Sequence, residues 1–415
     1  MLSGRVAARG LPHHGHLMLL AAAALTAWAM LAMASATTTS TASADPANPH
    51  PHHSVVHQPA KSPPAPKPLN KAKTTSRTTT TPFSRQLAGL ANDAGVMAFS
   101  LANNVAARAA HDIGRKTLFG VPYNALTLVA HMAGDISKVL NGTPLGATST
   151  GRFKVDYGVF NVLGYLTPWR SPPGADDPSI TVTDAHPLPI ILLNGTANTQ
   201  SLNWSVGAPV LANAGYKVYA FNYGNITASA GFPVQAIGGI AASARQLSDK
   251  VEQVLAETGA AKVILIGHSQ GGGILPEYYL NNLGGAAKVS QLIGIAPSNH
   301  GTTISGLASA LSIPVLGVLL SGLMNVVCPA CLQQTVGSSL VQHIYGNGDT
   351  RSGVTYGTII SMDDEVVTPY TRQALSGPNV TNIILQQQDP ELTVGHGTIV
   401  VNYQVWQDVL AMLAA

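Results

Sequence analysis

Residues Val263 to Gly273 read Val-Ile-Leu-Ile-Gly-His-Ser-Gln-Gly-Gly-Gly, an apolar β-branched run that passes without a spacer into Gly-x-Ser-x-Gly. This pattern commits the chain to a strand, a tight turn and a helix, with Ser269 presented at the turn as in a nucleophile elbow. The crowded turn needs small flanking residues, and Gly267 and Gly271 supply them. In a chain with 41 glycines the five residues alone arise by chance. Their place between a strand-like run, 261–266, and a helix-like run, 272–280, makes the pattern specific. Apolar strands are expected near 190–193, 217–221, 263–266, 292–295, 356–360 and 382–385. A helix is expected over 239–257, with Ala242, Leu247, Val251 and Leu255 on one stripe. The predicted fold class is therefore α/β, a mostly parallel central sheet flanked by helices.

A serine hydroxyl is a poor nucleophile until a base takes its proton. At an elbow of this kind the acid and then the histidine follow the serine along the chain. After Ser269 the histidines are His300, His343 and His396, and the acids before His396 are Glu277, Asp349, Asp363, Asp364, Glu365, Asp389 and Glu391. The strand expected over 354–361 delivers Asp363-Asp364-Glu365 at its carboxyl end, where such sheets place their chemistry. His396 alone follows that cluster, in the loop Thr393-Val394-Gly395-His396-Gly397 before a last helix expected over 400–413. It is the expected base. His300 reads equally as a pocket residue or a structural loop residue, and His343 as a surface residue. His268 reads as packing for the elbow, with its side chain turned from the nucleophile.

Several stretches, taken in order, have a family character: Pro172-Pro173-Gly174-Ala175-Asp176, Asn194-Gly195-Thr196, Leu211-Ala212-Asn213-Ala214-Gly215-Tyr216, Phe221-Asn222-Tyr223-Gly224, Asn299-His300-Gly301-Thr302-Thr303, Cys328-Pro329-Ala330-Cys331 and Asp364-Glu365-Val366-Val367-Thr368-Pro369-Tyr370. With the elbow, they resemble the secreted class 2 lipases of actinobacteria, a branch of the α/β-hydrolases, from about Pro172 onward. The resemblance implies hydrolysis of acyl esters through a covalent acyl-serine. It also selects Asp364, the residue directly before Glu-Val-Val, as the catalytic acid. An oxyanion hole would use the backbone N–H groups of Thr196 and Gln270. No metal and no organic cofactor is called for.

Two departures stand out. Asn194-Gly195 occupies the place of a usual His-Gly, and it also forms a glycosylation sequon with Thr196. The family cysteine before the histidine loop is absent from 386–390. Only Cys328 and Cys331 remain, and in an exported chain they are expected to pair as a local disulfide; a zinc site lacks a second ligand pair.

The uncharged stretch 304–327 is long enough to span a bilayer. Ser, Gly and Pro interrupt it, however, and it falls between two strands of one sheet. It opens a lid-like insertion, 304–345, that reads as a lid or pocket wall suited to insoluble esters, or as a helical hairpin over the core.

Arg5 and Arg9 precede an apolar stretch, 17–34, with small-residue cleavage sites after it, so residues 1–36 read as a signal peptide or an uncleaved anchor. Residues 37–82, rich in Thr, Ser, Pro, His and Lys, cannot offset their ordering entropy and are expected to be a disordered linker; its histidines read as solvated rather than metal-binding. The first 82 residues hold seven Lys or Arg against one acid, so the pI near 8.8 reflects the tail. A basic tail suits anionic envelope polymers or lipid headgroups. The expected location is secreted or envelope-associated, with a lipid or other ester as substrate, no nucleic acid and no indicated protein partner.

Residues 83–151 form an extension outside the resemblance. Leu87, Leu90, Ala94, Met97, Leu101 and Val105 recur there at helical spacing, predicting amphipathic helices packed on the hydrolase domain, 152–415, or a separate partner-binding module. An envelope acyltransferase with the same triad and a non-catalytic binding module are the alternative functions.

Overall fold

A computed structural model of the chain describes residues 81–114, 121–226, 234–303 and 324–415. The expected leader, the linker up to residue 80 and residues 304–323 of the lid-like insertion lie outside the described residues.

Two long helices come first, α1 (Pro82–Ile113) and α2 (Val121–Leu140). Thr81 caps α1, its Oγ1 accepting from the Ser84 N–H at 3.3 Å. Pro82 then sits where a first-turn amide has no helical partner to lose. Ser100 of α1 meets Ser137 of α2 at 3.1 Å in a buried seam, and Ser137 Oγ donates to the Gly158 carbonyl at 2.6 Å, tying the pair to the chain that follows. The expected apolar stripe is not the buried face of α1. Leu87, Leu101 and Val105 are exposed, whereas Gly89, Asn92, Asp93, Val96 and Ser100 are buried. That face meets the rest of the molecule largely through hydrogen bonds, so hydrophobic spacing misjudged its direction.

Next come β1 (Ile190–Leu193), α3 (Gly207–Asn213), β2 (Val218–Ala220), α4 (Ile240–Thr258), β3 (Val263–His268), α5 (Ile274–Asn282), β4 (Val289–Ile295), α6 (Pro329–Gln333), α7 (Ser339–Tyr345), β5 (Thr355–Ile360), β6 (Val380–Ile384) and α8 (Tyr403–Ala414). The six strands pair in parallel in the order β2-β1-β3-β4-β5-β6. Both faces are covered, so the strands are continuous apolar runs rather than alternating ones. Ile190, Leu192, Ile264 and Ile266 pack with α3 and α8 on one side; Ile191, Leu193, Val263 and Leu265 pack with α4 and α5 on the other. This is the predicted α/β-hydrolase sheet.

Strand order reverses between β1 and β3, and a sheet of this kind opens its crevice beyond the carboxyl ends at such a reversal. Leu193 pairs with Gly267, so residues 194–196 and Ser269 leave the sheet side by side. Ile360 pairs with Ile384, which places the acid loop beside the β6 end.

Among the boundaries that differ from expectation, two flank the histidine loop. The β6 strand runs over Val380–Ile384 and yields to a one-turn helix, Leu385–Gln388. It is an edge strand anchored by Asn382, whose Nδ2 donates to the Leu375 carbonyl at 2.9 Å, so its apolar signal is short. The last helix is preceded by a 3-10 turn, Thr398–Val401, because Asn402 caps α8 by accepting from the Val405 N–H at 3.2 Å. The described part of the lid-like insertion is built into the core: Cys328, Ala330, Val341 and Ile344 pack on Ile237, Ile240 and Ile274. Among the described residues no helix is long and apolar enough to cross a membrane.

Candidate active site

Ser269 directly follows β3 with φ +57°, a left-handed conformation that costs a non-glycine residue on the order of 1–2 kcal/mol. The glycines around it are steric necessities. A β-carbon on Gly267 would lie 1.8 Å from the Gly271 carbonyl oxygen, one on Gly271 would lie 2.3 Å from that of Leu193, and one on Gly272 would lie 2.4 Å from that of Gly267. The sequence spacing and the turn therefore dictate one another.

Asp364 and His396 come together from the loops after β5 and β6. Asp364 Oδ2 lies 2.7 Å from His396 Nδ1, and both side chains are buried. The other carboxylate oxygen accepts from the N–H groups of Val366 (2.8 Å) and Val367 (2.7 Å), while Gln373 Nε2 donates to Oδ2 at 2.9 Å. Such bonds fix the carboxylate plane against the imidazole. Of the neighbouring acids, Asp363 instead forms a 3.1 Å ion pair with Arg85 of α1.

The loop after β1 lies against the elbow: a β-carbon on Gly195 would sit 3.1 Å from Ser269 Cβ. Asn194 is fully buried, which rules out a glycan on it in the folded chain. Its Nδ2 donates to the Asn198 carbonyl at 2.9 Å, and Tyr223 donates its hydroxyl to the Asn194 carbonyl. Asn194 thus holds the loop that carries Thr196. The side chains of the two expected oxyanion donors also meet, with Thr196 Oγ1 donating to Gln270 Oε1 at 2.9 Å. Gln334, just past α6, bridges both: its Nε2 donates to Thr196 Oγ1 (3.0 Å) and to Gln270 Oε1 (2.9 Å), and its Oε1 accepts from Ser298 Oγ (2.9 Å). Cys328 and Cys331, joined in a disulfide, flank the start of α6.

His268 does more than pack. Its Nε2 donates to the His396 carbonyl at 3.0 Å, and its Nδ1 lies 3.1 Å from Asn203 Oδ1, which accepts the Gly195 N–H. Burial, and then the nearby His396, push its pKa well below the ordinary value. A second support comes from α1. Asp93 accepts from the N–H groups of Gly397 (2.6 Å) and Thr398 (3.0 Å), and Asn92 Oδ1 accepts from Thr398 Oγ1 at 2.8 Å. Glu365 accepts the His396 N–H at 3.1 Å.

Gln334, Asn203, Asn92 and Asp93 carry no sequence signal, since buried amides and acids look like surface ones in the chain. The remaining histidines lie in other contacts. His300 Nε2 is 3.1 Å from Asp349, and its Nδ1 lies 3.0 Å from the Arg372 carbonyl oxygen, the structural-loop alternative. His343 bonds Asn282 at the surface. A groove of about 1200 Å³ between α1, α2 and residues 147–163 is lined by none of Ser269, Asp364 or His396. Among the described residues no cluster of His, Cys, Asp or Glu could hold a metal.

Compared with known proteins, residues 187–400 match the sequence profile described as lipase (class 2). No curated protein matches the chain. Solved structures similar to it include Aspergillus fumigatus lipase B (18% identity, 78% of this chain and 80% of that one, TM-score 0.45). A Bacillus licheniformis lipase in mature form is 16% identical over 59% of this chain and 97% of its own, with TM-score 0.42. A Rhodococcus esterase is 17% identical over 57% and 93%, with TM-score 0.34.

Proposed function

The chain belongs to the class 2 lipase family and is a carboxylic ester hydrolase, and from that premise we propose that Ser269, His396 and Asp364 form its catalytic triad. His396 Nε2 takes the Ser269 proton as Oγ attacks the ester carbonyl, and Asp364 holds the Nδ1–H and stabilises the imidazolium. The backbone N–H groups of Thr196 and Gln270 receive the oxyanion. The alcohol leaves with the proton from His396, and water, activated the same way, releases the acid from the acyl-serine.

The observation that carries this reading is the buried 2.7 Å contact between Asp364 and His396, at the end of the sheet where the strained Ser269 turn emerges. The proposed substrates are acylglycerols or related lipid esters. The apolar segment 17–34 behind Arg5 and Arg9 and the basic linker support placement outside the cell or at its envelope.

Purified protein assayed on dissolved esters of increasing acyl length and on an emulsified triacylglycerol is expected to hydrolyse both, and Ser269→Ala to lose about 10⁴- to 10⁶-fold in kcat. Addition of a second alcohol distinguishes acyl transfer. A new ester exceeding the free acid would identify a transferase. No turnover of any ester by folded protein would overturn the triad reading.

A further inference from the structure

The helical extension lies outside the matched region, yet its first helix reaches the centre of the candidate site. The loop carrying His396 presents four successive N–H groups. Gly395 donates to Thr398 Oγ1 at 3.1 Å, His396 to Glu365 Oε2 at 3.1 Å, Gly397 to Asp93 Oδ2 at 2.6 Å and Thr398 to Asp93 Oδ1 at 3.0 Å. The loop is thus held between a side chain of α1 and the residue directly after Asp364. Fit is close on both sides: a β-carbon on Gly395 would meet Asp93 Oδ1 at 2.3 Å, and one on Gly89 would meet the Asp363 carbonyl oxygen at 1.9 Å. Asp93 is fully buried and Glu365 nearly so. The two carboxyl groups hold successive amides of one turn, Glu365 that of His396 and Asp93 those of Gly397 and Thr398.

We propose that Asp93 and Glu365 are positioning residues for His396, a pair of buried carboxyl groups that together set the imidazole relative to Ser269 and Asp364. The inference rests on the triad reading above. Both Asp93 oxygens accept loop amides, and Glu365 uses Oε2 for the His396 N–H. Burial raises the pKa of both groups, and for Glu365 the neighbouring Asp93 and Asp364 raise it further. The titratable groups around the pair are Arg85 on α1, Asp363 and Asp364 on the acid loop, His396 itself and His268 at the end of β3. Arg85 is bonded to Asp363, so it offers the pair no free countercharge. Loss of either acceptor would free a loop amide and loosen the loop. A displacement of a catalytic group by about 1 Å costs on the order of 100-fold in rate.

The test uses the full chain and a short soluble ester, with kcat and KM measured from pH 6 to 10 and a melting temperature for every variant. Wild-type turnover, lost in Ser269→Ala, first establishes the triad independently. Asp93→Asn turns one acceptor into a donor that faces a loop N–H, and it should lower kcat about 10-fold with KM unchanged. Glu365→Ala should lower it at least as much. Glu365→Gln keeps the acceptor for His396 and should recover most of that loss. If Asp93→Asn and Glu365→Ala lower the melting temperature but leave kcat at the wild-type value, the pair is only structural. If Glu365→Gln is no more active than Glu365→Ala, the Glu365 acceptor does not act on His396. Either result overturns the inference while leaving the triad intact.

Discussion

Gln334 Nε2 reaches Thr196 Oγ1 and Gln270 Oε1 at once, so one buried amide spans two loops that leave different strands. Oxyanion stabilisation depends on donors that are already in place before charge develops. Gln334→Ala removes this brace and should lower kcat on a soluble ester about 10-fold while leaving KM nearly unchanged, measured by steady-state kinetics; an unchanged kcat would remove Gln334 from the site. At the same scale, Asp364→Asn keeps the shape but holds the wrong imidazole tautomer, and a fall of about 10⁴-fold in kcat is expected. Ser269, His396 and the acid cluster 363–365 stood out as candidates in the chain, since nucleophile, acid and base must be particular residue types in a fixed order, and the resemblance narrowed the acid to Asp364. Gln334 and His268 did not stand out. An amide or imidazole used as a brace has no periodicity and no motif, and it becomes visible only once β1, β3 and the turn after α6 converge.

Helix α1 shows the limit of pattern reading at the level of elements. Its existence followed from apolar spacing, and its orientation did not, because the buried face consists of Gly89, Asn92, Asp93, Val96 and Ser100 while Leu87 and Val105 point outward. A helix docked by hydrogen bonds conceals its contact face from a hydrophobicity pattern. The strands, buried on both faces, read clearly for the opposite reason. Gly89 lets α1 approach the acid loop, and the β-carbon of Gly89→Ala would fall 1.9 Å from the Asp363 carbonyl oxygen. The helix must then withdraw. A loss of about 1–3 kcal/mol in urea unfolding is expected, accompanied by reduced kcat. Full stability with unchanged kcat would mean that α1 does not bear on the loop.

For the molecule as a whole, pH links stability to a group remote from catalysis. Glu277 of α5 is fully buried, neither carboxyl oxygen has a hydrogen-bond partner among the described residues, and burial pushes its pKa up to about 8. A carboxyl group whose pKa is higher folded than unfolded contributes its stability in full below the unfolded value of 4.5 and loses it as pH rises through about 8. The slope over that window is about 1.4 kcal/mol per pH unit for this group. Denaturation curves should therefore show wild type weakening from pH 6 to pH 8, and Glu277→Gln weakening less; parallel slopes would contradict the assignment. The central claim concerns another residue. An activated fluorophosphonate is added to the purified full chain, and the adduct is located by mass spectrometry. One adduct on Ser269, absent from Ser269→Ala and slowed in Asp364→Asn, is the predicted result. A folded, unlabelled protein, or a label on any other residue, would contradict the account.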